Sequence, residues 1–178
     1  MSSLLLPGNA TARIDIDISS AELRKVPVAV PYFINKAKPG KSKKRGKEMA
    51  ATLAKALEFH GFISVIPPKS YGGGQQNDWL DLEVAFTVIG KYSDNGKGLV
   101  LEIRLIDIST GRMILGRRYR GTDSKLRAML LKFADEIINK MAGEPGVSLT
   151  RIAFVSVKDG IKEIYLTDIF GDTLRQIT

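Results

Sequence analysis

The chain has 178 residues, 44% of them hydrophobic, which suits one ordinary domain or one domain plus a fragment of another and excludes global disorder. Its 27 Lys and Arg outweigh 19 Asp and Glu to give a formal net charge of +8, a balance that favours anionic partners without choosing among nucleic acid, lipid headgroups and acidic protein faces. Cysteine is absent and His60 is the single histidine, so disulfides, thiolate metal sites, cysteine nucleophiles and a multi-histidine metal site within one chain are excluded; no apolar run approaches the ~20 residues that span a bilayer.

Residues 1–12 pair a short apolar run, Leu4-Leu5-Leu6, with the breaker Pro7-Gly8-Asn9 and the small-residue stretch Ala10-Thr11-Ala12. That is the grammar of the end of a secretory signal, mostly removed; an ordinary leader is the alternative. Arg13, Ile14, Asp15, Ile16, Asp17 and Ile18 then alternate isoleucine with charge at the period of a half-buried strand, before a polar break from Ser19 to Lys25. Such a strand can add to the sheet edge of another protein or pair within its own domain.

Val26 to Phe33 reads as a strand with Val26, Val28, Val30 and Tyr32 on one face and Pro27, Ala29, Pro31 and Phe33 on the other. Two prolines predict that it is irregular or lies partly at an edge. Residues 36–47 hold the densest positive run, Lys36, Lys38, Lys41, Lys43, Lys44, Arg45 and Lys47, read either as a solvated loop and first helical turn or as an anion-binding helix start. Ser42 caps a predicted helix to about His60, with Met49, Leu53 and Leu57 as its apolar stripe and Gly61 as its left-handed stop. His60, in the last turn, reads as a cap or a partner of the helix dipole. A short buried strand from Phe62 to Ile66 follows. Gly72-Gly73-Gly74 then opens a loop with no Lys-Ser or Lys-Thr after it, so a nucleotide-loop reading is weak.

Trp79 begins a short turn into a strand from Val84 to Tyr92. The turn Asn95-Gly96, the stripe Leu99, Leu101, Ile103 and Leu105, and the turn Ser109-Thr110-Gly111 before Met113 to Arg120 predict an antiparallel meander. Arg117, Arg118 and Arg120 are expected as one exposed cluster. Asp123 or Ser124 caps a second helix to about Met141, its core stripe being Leu126, Leu130, Phe133, Ile137 and Met141. Gly143, Pro145 and Gly146 mark a linker. After Arg151, short strands with the turns Lys158-Asp159-Gly160 and Phe170-Gly171-Asp172 have the spacing of a propeller blade, too small to bury both its faces. They can pack on the domain, pair between chains or hang free.

In this order the segments resemble the TolB family. The residues that carry the resemblance are Arg13-Ile-Asp-Ile-Asp-Ile, then Val26-Pro-Val-Ala-Val-Pro-Tyr-Phe, Leu82-Glu-Val-Ala-Phe-Thr-Val-Ile-Gly-Lys, Arg104-Leu-Ile-Asp-Ile-Ser-Thr-Gly and Thr150-Arg-Ile-Ala-Phe-Val-Ser, with Glu163-Ile-Tyr-Leu-Thr-Asp and Gly171-Asp after them. The resemblance implies an α/β fold: a mixed five-stranded sheet with two main helices, anticodon-binding-domain-like, followed by an incomplete propeller blade. It divides the chain into residues 1–12, a signal remnant or leader; 13–25, a mobile partner-binding segment; 26–146, the α/β domain; and 147–178, a linker and truncated first blade. It implies a non-enzymatic periplasmic adaptor of the Tol–Pal envelope system, without cofactor or metal, that supports outer-membrane integrity and constriction in division and is exploited by bacteriocins. Arg13, Ile14, Asp15, Ile16, Asp17 and Ile18 would be captured as an added strand by a TolA-like inner-membrane protein, and a Pal-like lipoprotein would bind the absent propeller. No stable membrane insertion and no nucleic-acid partner are expected. The rival readings are a basic nucleic-acid-binding module, which lacks a recognised motif and aromatics interleaved with its basic run, and a hydrolase, for which no acid pair or nucleophile elbow is present.

Overall fold

The computed structural model describes residues 25–37, 39, 43–75, 78–94, 96, 98–158 and 160–178. Strand β1 (Val26–Ala29) lies inside the main sheet, parallel to β3 (Ile63–Ile66) on one side and to β4 (Phe86–Asp94) on the other. The two-residue β2 (Ile34–Asn35) continues along β4, also parallel. From β4 the sheet runs antiparallel through β5 (Leu99–Asp107) to β6 (Met113–Gly121), which is the predicted meander. The order β3-β1-β4-β5-β6, with β2 beside β4, makes six strands where five were expected, because the two-residue β2 adds a short rung.

The strand expected from Val26 to Phe33 is broken, and it is not at an edge. The Val26 N–H donates to the Phe62 carbonyl, so by the alternation of a parallel strand the nitrogen of Pro27 faces β4, whose ladder starts only at Val28. Pro27 therefore removes no ladder bond, while β1 stops before Pro31. Past Pro31 the chain changes face. Phe33, assigned to the opposite side from Val28, joins the same core as Val28 and Val30. It reaches that core between two glycines: its ring lies on Gly90 of β4, and its backbone lies against Gly46.

Two helices, α1 (Lys43–Phe59) and α2 (Leu126–Ala142), pack side by side on one face of the sheet. Met49, Leu53 and Leu57 of α1 and Leu130, Phe133 and Ile137 of α2 are buried as their spacing predicts, against Val88 and Tyr92 of β4 and Leu99, Leu101, Ile103 and Leu105 of β5. Leu126 and Met141 sit at the rim of this core. Gly143 ends α2 in the left-handed region, φ 76°, and its N–H bonds Asn139 O. The start of α2 differs from expectation. A 3₁₀ turn, Asp123–Lys125, precedes it, and neither Asp123 nor Ser124 caps it through a side chain, because Asp123 turns to Arg45 instead. Ser42, the expected cap of α1, lies outside the described residues. On the other face of the sheet, Trp79 and Val84 form a smaller cluster with Ala29.

Residues 151–178 form a separate antiparallel sheet of β7 (Arg151–Lys158), β8 (Ile161–Asp168) and β9 (Leu174–Gln176).

A methyl group at Gly46 would overlap the Phe33 carbonyl. Gly-to-Ala inside a helix ordinarily stabilises by about 1 kcal/mol. Here Gly46→Ala is expected to destabilise by about 1–3 kcal/mol, because backbone must move to admit it. Urea unfolding of the two proteins reads the sign directly.

Candidate partner-binding surfaces

The expected site, Arg13, Ile14, Asp15, Ile16, Asp17 and Ile18, lies outside the described residues. The other segments singled out for chemistry are described in whole or in part, and each makes bonds within the fold.

The glycine loop is filled by protein. Gly73 lies against the Tyr32 ring, where a side chain would overlap it, and the Tyr32 N–H donates to the Gly73 carbonyl at 2.9 Å. Gln75 fastens the loop to the sheet, its amide nitrogen donating to the carbonyls of Tyr32 at 3.0 Å and Gly90 at 2.6 Å. Gly73 is needed for close approach to Tyr32, and Gly72 and Gly73 both take positive φ, 69° and 72°.

The basic run is dispersed. Arg45 bridges Asp94, at 3.0 Å, and Asp123, and its guanidinium stands 5.4 Å from the centre of the Tyr92 ring. The Gly96 N–H first, and Arg45 second, hold the Asp94 carboxyl below its ordinary range. Lys47 lies over the Tyr32 ring, and Lys36 pairs with Glu102 at 2.5 Å on the far side of the sheet. Lys38 and Lys41 lie outside the described residues. The expected arginine cluster is likewise split by the alternation of β6. Arg117 pairs with Glu136 of α2 on the helix side, while Arg118 pairs with Glu102 on the opposite face at 3.4 Å.

His60 ties α1 to the linker. Its Nδ1 bonds the Ala56 carbonyl at 2.9 Å, and its Nε2 accepts the Val147 N–H at 3.2 Å, so the tautomer that serves both carries its proton on Nδ1. The cap reading of this residue holds, and the bond to Val147 is a role that its spacing in the sequence did not signal. The next amide, Ser148 N–H, donates to Asp135 of α2 at 2.8 Å, so the linker touches both helices.

A second tie comes from the β8–β9 turn. Asp168 accepts the N–H groups of Phe170 and Asp172 through Oδ1, both at 3.0 Å, and pairs through Oδ2 with Arg127 of α2 at 3.2 Å. Asp172 joins Lys55 of α1 at 2.7 Å and Arg127 at 2.8 Å. Between these cations lies the Phe170 ring, 5.4 Å from Lys55 Nζ and 5.6 Å from the Arg127 guanidinium, with the Phe59 ring edge-on to it at 5.4 Å. Of the alternatives for residues 147–178, packing on the α/β domain is the one observed. The strands beyond the turn are bare: Ile152 and Phe154 on one face of β7, and Val155 and Val157 on the other, are all exposed.

Burial pushes the Asp168 carboxyl up, but the Asp172 N–H, the Thr173 hydroxyl and Arg127 outweigh it and bring it below the ordinary range; Asp172 is lowered chiefly by Lys55. Both groups are depressed in the folded state. Their stabilising contribution is therefore complete above the ordinary carboxyl range and is lost as pH falls through the lowered values. Asp168→Ala is expected to cost about 2 kcal/mol of local stability at neutral pH, since it removes a charged acceptor of three bonds. Faster amide exchange in β8, and a narrowing of the difference from the parent protein toward pH 2, would check both parts.

A family model described as the TolB amino-terminal domain matches residues 14–114, more than half of the chain. The chain is 42% identical over 169 residues to the Tol-Pal system protein TolB of Desulfotalea psychrophila, a match covering 95% of this chain and 39% of that protein. It is 31% identical to the Tol-Pal system protein TolB of Desulfosudis oleivorans, with 98% and 43% covered. Among solved structures, TolB from Acinetobacter baumannii is similar in fold, with a TM-score of 0.70 at 17% identity over 86% of this chain and 38% of that one. The chain thus spans about two fifths of the length of the curated relatives it matches. On the strength of the matched domain and these relatives, the chain belongs to the TolB family of the Tol–Pal system.

Proposed function

We propose that this chain is the amino-terminal part of a non-enzymatic, periplasmic Tol–Pal adaptor, in which Arg13 to Ile18 is the strand that a TolA-like inner-membrane protein captures. The observation that carries this reading is that the family match begins at Ile14, inside the alternating run, so the run belongs to what the family shares. A short added strand gains main-chain hydrogen bonds from its host, and Ile14, Ile16 and Ile18 offer one apolar face while Asp15 and Asp17 face water or a basic partner.

Residues 147–178 serve in this reading as a linker and the first blade of a propeller that would bind a Pal-like lipoprotein. A three-stranded sheet with apolar side chains exposed on both faces needs neighbours on both sides, which is how a blade sits in a propeller. The adaptor role, rather than chemistry, is supported by how the candidate groups are used. His60 has both ring nitrogens bonded to backbone, and the glycine loop is filled by Tyr32. Among the described residues no helix is long and apolar enough to cross a membrane. In this reading the chain supports maintenance of the outer membrane and constriction in division and is exploited by bacteriocins, as the family resemblance implies.

The test is calorimetric titration of the carboxy-terminal domain of a TolA protein into the full chain and into a version lacking residues 1–12. Ile16→Asp is expected to weaken binding at least about tenfold, roughly 1.4 kcal/mol, while leaving the unfolding midpoint unchanged. Equal affinity of the variant and the parent would remove this segment from the mechanism.

A further inference from the structure

Among the described residues, the face of the main sheet turned away from the helices is covered over β3, β1 and the start of β4, where Trp79, Val84, Tyr71 and Leu82 lie and Thr87 is buried. Beyond Thr87 its β4–β6 half is strongly basic, and Lys91, Arg104, Arg118 and Arg120 are exposed. Cross-strand register sets Lys91, Glu102 and Arg118 in one row, and Ile89, Arg104 and Gly116 in the next. Ser93, Val100 and Arg120 form the row on the other side of Glu102. Lys36 reaches in from beyond β2 to bond Glu102. One carboxylate thus stands among five cations and is already engaged by Lys36 and Arg118, whereas Lys91, Arg104 and Arg120 form no salt bridge among the described residues. The hydrogen bond from Lys36 is the main reason the Glu102 carboxyl lies below its ordinary range, so this group stays charged and spoken for.

Lys36, Ile89, Lys91, Glu102 and Arg104 line a dent of about 120 Å³, and with Glu102 already held by Lys36 and Arg118 its remaining cations are Lys91 and Arg104. Half-buried aliphatic side chains, Ile89, Val100 and Ile106, fill the space between the charges. Three of the five cations are arginines, whose planar forks fit carboxylates two bonds at a time. Among the described residues the basic rows of β4–β6 hold no aromatic side chain on which a base could stack, which disfavours single-stranded nucleic acid. The β8–β9 turn is held by Lys55 and Arg127 on the helix side, so the second sheet docks opposite to this face.

We propose that the basic β4–β6 face docks an acidic protein surface that presents Asp or Glu carboxylates to Lys91, Arg104 and Arg120. This surface is separate from the strand capture proposed above and stands or falls without it.

The test uses the full chain and poly-L-glutamate as probe, followed by amide chemical shifts at two salt concentrations. Shifts are expected to concentrate in residues 87–93, 100–106 and 114–120. Arg104→Gln with Arg120→Gln should weaken binding about tenfold, and Arg104→Lys with Arg120→Lys should recover only part of it, because charge is kept but the fork is lost. Lys43→Gln with Lys44→Gln, which removes the same charge elsewhere, should leave binding unchanged. An equal loss in the two glutamine pairs, or shifts spread over the whole surface, would reduce the face to ordinary solvated charge and overturn the proposal. So would tighter, arginine-dependent binding to phosphatidylglycerol vesicles or to a single-stranded oligonucleotide, which would assign the face to a membrane or to nucleic acid.

Discussion

Everything in this molecule depends on a sheet whose one face is sealed along its length by two helices. Leu101, Ile103 and Leu105 of β5 and Val88 of β4 need a cover, and two parallel stripes, one from α1 and one from α2, provide it. Because the helices lie together on one face, the other face is left, among the described residues, to the loop around Trp79 at one end and to exposed cations over most of β4–β6. Antiparallel strands tolerate this, since alternate residues can be polar. That is why Lys91, Glu102, Arg104 and Arg118 occupy the middle of a sheet without burial. The same one-sided seal decides where the second sheet attaches, because only the helix side offers Lys55 and Arg127 to the β8–β9 turn.

The parts legible in the sequence were those where a period repeats long enough to speak for itself. The stripe from Leu126 to Met141 and the run Leu99 to Leu105 each name their own face, and Gly61 and Gly143 mark the helix ends. Failures came where a contact distant in sequence overrides the local pattern. Phe33 follows a period-2 strand on paper, yet its place is set by two glycines at 46 and 90, whose absent side chains admit it to the core. Asp123 looks like a helix cap until Arg45, 78 residues earlier, claims its carboxylate. Arg117 and Arg118 look like neighbours in a cluster, but a strand sends them to opposite faces, and the period-2 rule could have separated them had it been applied to charge as it was to leucine. The ties at His60 and Phe170 had no signal at all, because neither partner residue is near in the chain.

The strongly basic composition is also less available than its sum suggests. Arg45, Lys55, Arg117 and Arg127 are spent on internal carboxylates, and Lys47 and Arg45 also lie over tyrosine rings. Charge counted along a sequence measures solubility and long-range attraction, whereas charge free to meet a partner is what remains after such pairing. In this fold most of that remainder on the sheet faces away from the helices.

The Phe170 contact has a consequence for how such proteins are recombined. One ring is lodged among side chains from both helices, and the acidic residues flanking it match cations on both. The six-residue turn from Asp168 to Thr173 therefore belongs, in its interactions, to the α/β half of the chain even though it is encoded within the other. A chimera that joins the first half of one relative to the second half of another at the linker would pair a socket with a foreign plug. Moving the turn together with the helices, and leaving only the strands behind, respects the boundary that the contacts draw.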